Sequence, residues 1–260
     1  MIRLSNVEKE YESGTAALRG ISLRIEDGEF VFLVGPSGSG KSTLLNVLAG
    51  LEHVTSGEIV IAGKRLDKMT QSELIVFRQK HVGFIFQSFN LMPYYTAVEN
   101  VAFPLSFRGV PRKKREALAV EALKVMGLGK HLKHKPSQMS GGQQQRVGIA
   151  RALVTNPDIV FADEPTGNLD SNTSDDVMRT ICEVMRSRNK TLVMVTHDPN
   201  MAMYADKIIK ILDGRVVDIQ INEHPTYLTP RPKRAIGDEL EEQSEQAENK
   251  KDNKQGDTQR

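Results

Sequence analysis

One nine-residue stretch restricts what this chain can fold into more than any other: G-P-S-G-S-G-K-S-T at residues 35–43. It satisfies the pattern G-x-x-x-x-G-K-[ST], which needs a strand before it and a helix after it. The preceding F-V-F-L-V at residues 30–34 is apolar throughout, and helical periodicity begins at Lys41. The stretch therefore predicts an α/β chain that binds a nucleoside triphosphate.

The residue types in this loop suit phosphate chemistry. Glycines let the backbone fold so that its N–H groups point at the β- and γ-phosphates. Lys41 adds a point charge to the same oxygens, and the Ser42 hydroxyl can ligate Mg²⁺. A chance glycine turn is the alternative, and the strand and helix in register argue against it.

Strand-like and helix-like segments alternate along most of the chain. Strands are predicted at residues 21–25, 30–34, 57–63, 81–86, 158–162 and 191–196. Helices are predicted at residues 41–51, 112–126, 142–153 and 173–186. Continuous apolar runs suit strands covered on both faces, so the alternation predicts a doubly wound, mostly parallel sheet. The mostly helical stretch 88–156 is interpreted as a subdomain inserted between two core strands.

A second apolar run, I-V-F-A-D-E-P at residues 159–165, ends in two carboxylates. Asp163 follows a buried strand, where ligands gather in open α/β sheets, and it can hold Mg²⁺ through water. Alternation along the strand places Glu164 on the other side, where it could polarise an attacking water. A pair of exposed acids at a strand end is the alternative reading. Beside a phosphate loop, the pair favours a hydrolase.

A second anion site is predicted at M-S-G-G-Q, residues 139–143. A serine and bare backbone amides at a helix start bind anions. Because the first loop already wraps a triphosphate, either the fold brings the two sites together or the second grips the nucleotide of another copy. Two copies placed head to tail would satisfy both sites with two-fold symmetry. We therefore predict a homodimer with ATP between the subunits.

In this order, the motifs resemble those of ATP-binding subunits of ABC transporters, from Ile2 to about Ile221. Residues 35–43 are similar to the Walker A loop, and 159–164 to Walker B with the catalytic glutamate. Residues 139–143 resemble the L-S-G-G-Q signature, with methionine in place of leucine at a packing position. The resemblance implies a P-loop NTPase (RecA-like) core with a mostly parallel sheet, an N-terminal antiparallel β subdomain and an inserted helical subdomain.

The resemblance also implies roles for four residues that are weak signals alone. Gln87 resembles the Q-loop glutamine that touches Mg²⁺ and the attacking water, and His197 the switch histidine that contacts the γ-phosphate. Asp170 lies in a stretch similar to the D-loop at the dimer interface, and Tyr11 takes the place of the aromatic that stacks on adenine. A lone histidine after a strand and a lone tyrosine in an N-terminal strand are usually structural.

The predicted cofactors of the site are ATP and Mg²⁺. The predicted catalytic residues are Glu164, His197 and Gln87. The predicted magnesium ligands are Ser42, Gln87 and Asp163. The predicted nucleotide-binding residues are Tyr11, Gly35, Pro36, Ser37, Gly38, Ser39, Gly40, Lys41, Ser42, Thr43, Ser140, Gly141, Gly142, Gln143 and Asp170.

The resemblance further implies an ATPase coupled to transport through a membrane permease on a separate chain. F-Q-S-F-N-L-M-P-Y-Y at residues 86–95, with D-E-P-T-G-N-L-D at 163–170, is similar to the macrolide-export and lipoprotein-releasing group. A cell-division ATPase is a close relative. Residues 89–95 should meet the permease, because exposed aromatic and aliphatic side chains suit a partner groove. The alternative is that they belong to the subdomain's own core.

Composition narrows the remaining possibilities. With 35 Lys+Arg against 33 Asp+Glu, the net charge of +2 gives no reason to expect a nucleic-acid partner. The single cysteine, Cys182, allows no intrachain disulfide, and a buried thiol is expected there. No run is long and apolar enough to span a bilayer, and the start lacks a signal-peptide core. The expected location is the cytoplasm, peripheral on the inner face of the membrane through the permease.

The domain prediction is an ABC ATPase domain at residues 1–222, followed by a charged tail at 223–260. From Gly237 onward only Leu240 and Ala247 are apolar, so the tail should be disordered, with a docking tail as the alternative. Two functional rivals stay open at this stage. One is an ABC-type ATPase that transports nothing, and the other is a scaffold that binds nucleotide without hydrolysing it.

Overall fold

The computed structural model describes residues 1–226, apart from the side chains of residues 199 and 202. The predicted tail lies outside the described residues from position 227 onward. The β-strands are β1 (Ile2–Glu10), β2 (Ala16–Ile25), β3 (Phe30–Val34), β4 (Ser56–Ile61), β5 (Lys64–Arg65), β6 (Val82–Phe86), β7 (Ile159–Asp163), β8 (Thr191–Val195), β9 (Lys207–Leu212) and β10 (Arg215–Ile221). The α-helices are α1 (Lys41–Leu48), α2 (Gln71–His81), α3 (Ala97–Phe107), α4 (Arg112–Val125), α5 (Gly141–Leu153) and α6 (Ser171–Ser187).

The central sheet has six strands in the order β10-β9-β3-β8-β7-β6. All neighbours pair in parallel except β10, which runs antiparallel to β9. Because parallel strands end at the same edge, the loops after β3, β6, β7 and β8 lie side by side. This edge carries the phosphate loop and the polar residues that follow the other three strands. The predicted doubly wound, mostly parallel sheet is confirmed.

Strand β3 shows why its apolar run is continuous. Phe30 and Phe32 pack into one hydrophobic core, and Val31 and Leu33 pack into a second core on the opposite face. All four side chains are 0% exposed. Successive side chains of a strand point to opposite faces, so burial on both faces requires an apolar residue at every position.

A separate antiparallel sheet, ordered β2-β1-β4-β5, covers one face of the central sheet. Strand β1 was not predicted from its sequence pattern, since S-N-V-E-K-E carries few apolar residues. Ile2, Leu4 and Val7 are nevertheless buried between polar neighbours, and an irregularity in the strand pairing between Leu4 and Val7 accounts for the extra residue in their spacing. The antiparallel sheet implied by the resemblance is thus present.

Three helices, α3, α4 and α5, occupy the stretch between β6 and β7 and pack against one another. They fall inside the predicted insertion, whose limits at 88 and 156 stay a prediction. Met139 is 8% exposed and belongs to the core that these helices share, so its predicted packing position is confirmed. Among the described residues, no helix is both long enough and apolar enough to cross a membrane.

Several element limits differ from the predicted ones for local reasons. Helix α1 ends at Leu48, not at 51, because Gly50 takes the left-handed conformation (φ 66°) that commonly ends a helix. Helix α6 begins at Ser171, two residues earlier than predicted, because the Asp170 side chain caps its first turn. Helix α2 was missed, although its capping box between Thr70 and Glu73 is visible as T-x-x-E.

The single cysteine lies inside helix α6, where its side chain is fully buried. Burial raises the pKa of the Cys182 thiol to about 12, because the thiolate would lose its hydration. The thiol is therefore a core residue, as expected from the sequence.

Candidate active site

The phosphate loop joins β3 to α1. At two positions its backbone has a conformation that favours glycine. Gly35 has φ 148° and Gly40 has φ 100°. A Cβ atom would lie 2.1 Å from the Ile211 carbonyl oxygen at Gly35 and 2.5 Å from the Ala17 carbonyl oxygen at Gly40. The loop is thus pressed between β9 and β2, which fixes its course.

The hairpin turn between β9 and β10 also holds this loop. The Gly214 N–H donates to the Ser39 carbonyl oxygen over 3.0 Å. The Gly214 carbonyl oxygen in turn accepts from the Arg19 N–H at 2.9 Å. The phosphate loop, the β9–β10 turn and strand β2, which are distant in sequence, are therefore joined by hydrogen bonds.

Lys41, the first residue of α1, keeps its ammonium group within the loop. Its Nζ donates to the carbonyl oxygens of Gly35 at 2.9 Å and Pro36 at 2.7 Å. Burial lowers the pKa of Lys41, and the charges of Glu164 and Asp163 act in the opposite direction. The two acids thus help keep a half-desolvated lysine protonated, which a phosphate ligand requires.

Asp163, at the end of β7, faces the hydroxyl of Ser42. The Ser42 Oγ lies 3.5 Å from Asp163 Oδ1, so two oxygen ligands from different elements are close together. Burial raises the pKa of Asp163, and the nearby Glu164 charge raises it further. A cation bound there would offset both effects, because positive charge favours the ionised carboxylate.

Glu164 does not continue the strand, which corrects the argument from alternation. Its φ of 43° is left-handed, so the side-chain alternation of β7 stops at Asp163. Its N–H donates to the Val195 carbonyl oxygen over 3.0 Å, and its side chain lines the same cleft as Lys41. Both acids of the pair are therefore directed toward the phosphate loop.

His197, which follows β8, pairs with Glu164 across the cleft. The distance between His197 Nδ1 and Glu164 Oε2 is 3.1 Å. The histidine side chain is 65% exposed and the glutamate side chain 25%, so the pair lies at the cleft surface. The two predicted catalytic residues from different strands are thus brought together.

Gln87, at the end of β6, lies behind the cleft wall. Its backbone carbonyl oxygen accepts from Asn168 Nδ2 at 3.0 Å. Its side-chain Nε2 would lie 2.8 Å from a Cβ atom built on Gly167. Gln87 therefore packs on the turn that follows Glu164, and a glycine at 167 leaves room for its amide.

The cleft itself has a volume of about 670 Å³. Predicted residues that line it are Gly35, Ser37, Gly38, Gly40, Lys41, Ser42, Thr43, Glu164 and His197. Its opposite wall includes Arg19 of β2 and Asp213 of the β9–β10 turn, which sequence reasoning missed. Asp213-Gly214 is a recognisable hairpin signal between apolar strands, but nothing in the sequence pointed to Arg19.

Tyr11 lies beside the cleft and is not part of its wall. Its hydroxyl donates to Glu52 Oε2 at 2.9 Å and lies 3.2 Å from Thr43 Oγ1. The Lys9 ammonium sits 5.0 Å from the ring centre, in cation–π range. The tyrosine ring is 37% exposed and is tied to helix α1 through Thr43.

Helix α5 begins at the second predicted anion site. The Ser140 side chain accepts from the Gln143 N–H at 3.3 Å, and the Gln143 side chain accepts from the Ser140 N–H at 3.1 Å. A Cβ atom on Gly142 would lie 2.5 Å from Thr173 Cγ2, so the helix start packs closely on α6. No residue from 139 to 143 lines the cleft around Lys41. Within one described chain, the two anion sites do not share a cavity.

Asp170 acts in this structure as the cap of helix α6. Its Oδ1 accepts from the Thr173 N–H at 3.1 Å. Hydrogen bonds from Thr173 hold the pKa of the Asp170 carboxyl below its ordinary value. The carboxylate is therefore ionised and exposed beside Gly142, which packs on the same threonine.

The segment 89–95 combines buried and exposed side chains. Phe89 and Asn90 have left-handed φ values of 60° and 48°, and the Arg151 guanidinium donates to both of their carbonyl oxygens. Leu91 packs on the core, whereas the Tyr94 side chain is 84% exposed. Part of the segment therefore belongs to the subdomain's core, and contact of its exposed part with a permease stays a prediction.

Comparison with known proteins adds independent findings. A family model described as ABC transporter matches residues 18–167. An uncharacterized ABC transporter ATP-binding protein of Methanocaldococcus jannaschii is 50% identical over 222 residues, covering 84% of this chain and 99% of that protein. The macrolide export ATP-binding/permease protein MacB of Syntrophobacter fumaroxidans is 47% identical over 219 residues. That match covers 82% of this chain and 31% of MacB, so the chain spans about a third of that relative.

A solved structure is similar over most of the chain. It is the dimer of an ATP-binding cassette in a post-hydrolysis state, bound to ADP and phosphate. The TM-score is 0.79 at 43% sequence identity, and the match covers 85% of this chain and 98% of that one. The similarity therefore includes both sheets and the helices between β6 and β7.

Proposed function

The chain belongs to the ABC transporter family as one of its ATP-hydrolysing cassettes, and we propose that two copies form each reaction centre and drive a separate membrane permease. One observation carries the proposal: the cleft around Lys41 holds Glu164 and His197 but no residue from 139 to 143. The chain has two helix starts suited to phosphate, at α1 and at α5, and they do not share a cavity. Both can bind a nucleotide if α1 binds the one in its own subunit and α5 binds the one in the partner subunit.

In the proposed reaction, the loop amides and Lys41 hold the triphosphate, as the loop geometry favours. Glu164 orients a water in line with the γ-phosphate, and His197, 3.1 Å from Glu164 Oε2, restrains the carboxylate. Catalysis then consists of positioning and charge stabilisation, without a covalent intermediate. Gln87 supports the turn that carries Glu164 through its contact with Gly167.

A magnesium ion fits the oxygen ligands at the end of β7. Ser42 and Asp163 supply a hydroxyl and a carboxylate from facing elements. Within residues 1–226, no group of three or more His, Cys, Asp or Glu side chains is arranged so that it could hold a metal ion, and Mg²⁺ does not need such a group. It is usually bound through one or two carboxylates, substrate phosphates and waters. When bound, the ion would neutralise phosphate charge.

The second copy would supply its own Ser140, Gly142 and Gln143 to the open side of the nucleotide. Ser140 is exposed, and its helix N-terminus carries the partial positive charge that favours anions. Asp170 is exposed as well, and in the proposed dimer it would contact the partner. The arrangement is isologous, so both subunits contribute equally to two sites.

The permease would dock on the exposed part of segment 89–95, whose most exposed side chain is Tyr94. A permease of the macrolide-export type is proposed because the MacB relative, 47% identical over 219 residues, is described as both ATP-binding protein and permease. Docking next to Gln87 would place the contact directly beside the turn that follows Glu164.

The two-copy reaction centre is tested by comparing Ser140→Ala with Thr70→Ala. Both residues cap a helix through the same reciprocal capping box, so each substitution should cost about 0.5–2 kcal/mol of stability. Only Ser140 faces a nucleotide in the proposal. Phosphate release should fall at least tenfold in Ser140→Ala and stay within twofold of the original in Thr70→Ala. Equal rates in the two variants would contradict the role of the second anion site.

Dilution gives an independent test. The rate of phosphate release per chain should fall when the protein is diluted until light scattering detects only monomers during turnover. A monomeric sample that hydrolyses ATP as fast per chain as a concentrated one would refute the two-copy centre, while leaving the family assignment intact.

A further inference from the structure

Gln145 on helix α5 is a buried amide without an assigned role. Its side chain is 0% exposed, and its Nε2 donates to the carbonyl oxygen of Pro165. Its Oε1 has no hydrogen-bond partner among the described residues. Burying an amide with one half unpaired is unfavourable, so packing alone would be served better by an apolar side chain.

The acceptor of this bond belongs to the turn that carries Glu164. Pro165 follows Glu164 directly, and proline has no N–H, so its carbonyl is its one backbone hydrogen-bonding group. Glu164 itself is in the left-handed region at φ 43°, which a non-glycine residue keeps only when the surroundings hold it. The Gln145 bond is therefore placed where it restrains the backbone next to the carboxylate.

The other supports of this turn come from different elements. The Glu164 N–H is held by the Val195 carbonyl oxygen of β8, and the Thr166 carbonyl oxygen accepts from Ser174 of α6. Gln145 adds a support from α5, little more than one helical turn after Ser140. A rigid helix thus has the second anion site at its start and a bond to the carboxylate's turn further along.

We propose that Gln145 is a positioning residue: it couples helix α5 to the turn at Pro165 and so sets the direction of the Glu164 carboxylate. The proposal rests on the assignment of Glu164 as the residue that orients water. If the start of α5 grips the nucleotide of one site, the bond transmits its position to the acid of the other site. Gln145 itself touches no nucleotide, so its effect falls on the rate of hydrolysis and not on ATP affinity.

The test compares Gln145→Met with Thr191→Val in the full chain. Methionine keeps the length and approximate volume of glutamine and removes both polar atoms of the amide, including the unpaired Oε1, so the fold should tolerate it. Thr191 is 2% exposed and accepts from the Gly28 N–H at 2.9 Å, at the start of β8, away from the cleft. Both variants therefore remove one buried side-chain bond to the backbone, and only one concerns the Glu164 turn.

We expect kcat for phosphate release to fall at least tenfold in Gln145→Met, with the affinity for a fluorescent ATP analogue within twofold of the original. Thr191→Val should keep kcat within twofold at a comparable loss of thermal stability. A kcat for Gln145→Met equal to that of Thr191→Val would overturn the proposal. So would a loss of nucleotide affinity as large as the loss of rate. If the original chain itself released no phosphate, the proposed function would fail instead.

Gln145→Glu provides a second readout should the methionine variant fold poorly. A glutamic acid donates to the Pro165 carbonyl only when protonated, and burial raises the pKa of such a carboxyl. Its rate relative to the original chain should therefore rise as the pH falls from about 8 to 6. A ratio that does not change with pH would also overturn the proposal.

Discussion

Replacing Glu164 by glutamine removes the negative charge of the side chain and keeps its shape. The amide keeps the side-chain volume, and one of its two polar atoms still lies near His197 Nδ1, 3.1 Å from Oε2 in the structure. In the proposed mechanism, the substitution removes the base that orients and polarises water. Proton transfer by a positioned side chain contributes about 10²–10⁴-fold to a rate, or about 3–5 kcal/mol at 1.36 kcal/mol per tenfold. We expect kcat to fall by that factor.

The effect of Glu164→Gln on stability should be much smaller. The His197 side chain is 65% exposed, so solvent screens its pairing with Glu164, and such pairs contribute about 0–1 kcal/mol. The substitution also removes the negative charge that raises the pKa of Asp163, which slightly favours the folded state at neutral pH. Activity should therefore be lost while the free energy of unfolding changes by less than about 1 kcal/mol.

The assay combines phosphate release, ATP-analogue titration and size analysis with and without ATP. Glu164→Gln should bind ATP with unchanged affinity, release phosphate about 10²–10⁴-fold more slowly than the original chain and accumulate as a dimer when ATP is present. Hydrolysis at the original rate would show that another group orients the water. Weaker ATP binding, with the fold intact, would show that the carboxylate holds nucleotide and does not act on water.

Three further predictions concern the loop and the core. Lys41→Ala removes charge-assisted hydrogen bonds of about 1.5–3 kcal/mol each and should weaken ATP affinity at least tenfold; an unchanged affinity by titration would contradict the assignment of Lys41 to phosphate. Gly40→Ala should lower the melting temperature by more than Gly38→Ala. Both glycines have positive φ, but only at Gly40 would a Cβ atom meet backbone, 2.5 Å from the Ala17 carbonyl oxygen. Equal melting temperatures would contradict the close packing of the loop. Cys182 should react with a thiol reagent only in the unfolded chain. Its thiol pKa is about 12 in the folded chain and 9.0 in the unfolded chain, so the free energy of unfolding should fall as the pH rises between these values. The fall should be less steep in Cys182→Ala, which has no thiol to ionise.

The elements that could be predicted from the sequence are those whose run of apolar residues matches the residues that are buried in the structure. Strands β3, β7 and β8 were placed within a residue or two, because each has a run of at least four consecutive apolar residues that are buried on both faces. The phosphate loop followed from glycine spacing between such a strand and a helix. Strand β1 escaped notice, since only three of its nine side chains are buried and polar residues separate them.

The candidate site was predictable in its members and less so in its geometry. Alternation placed Glu164 on the far side of β7, whereas its left-handed backbone turns the side chain toward Lys41. A bulky residue in that region is held by tertiary contacts, which a local pattern does not contain. Arg19 on the opposite wall was missed for a related reason: its place depends on β2 crossing beneath the loop.

The close packing of Gly35, Gly40 and Gly214 around the phosphate loop has a consequence for binding. A mobile peptide segment that closes around an anion must give up its freedom at the moment of contact, which subtracts from the observed affinity. Here the restriction is imposed while the polypeptide folds, by strands that arrive from both ends of the domain. A triphosphate thus meets a phosphate loop whose backbone is already fixed, so ordering the loop adds little to the cost of association.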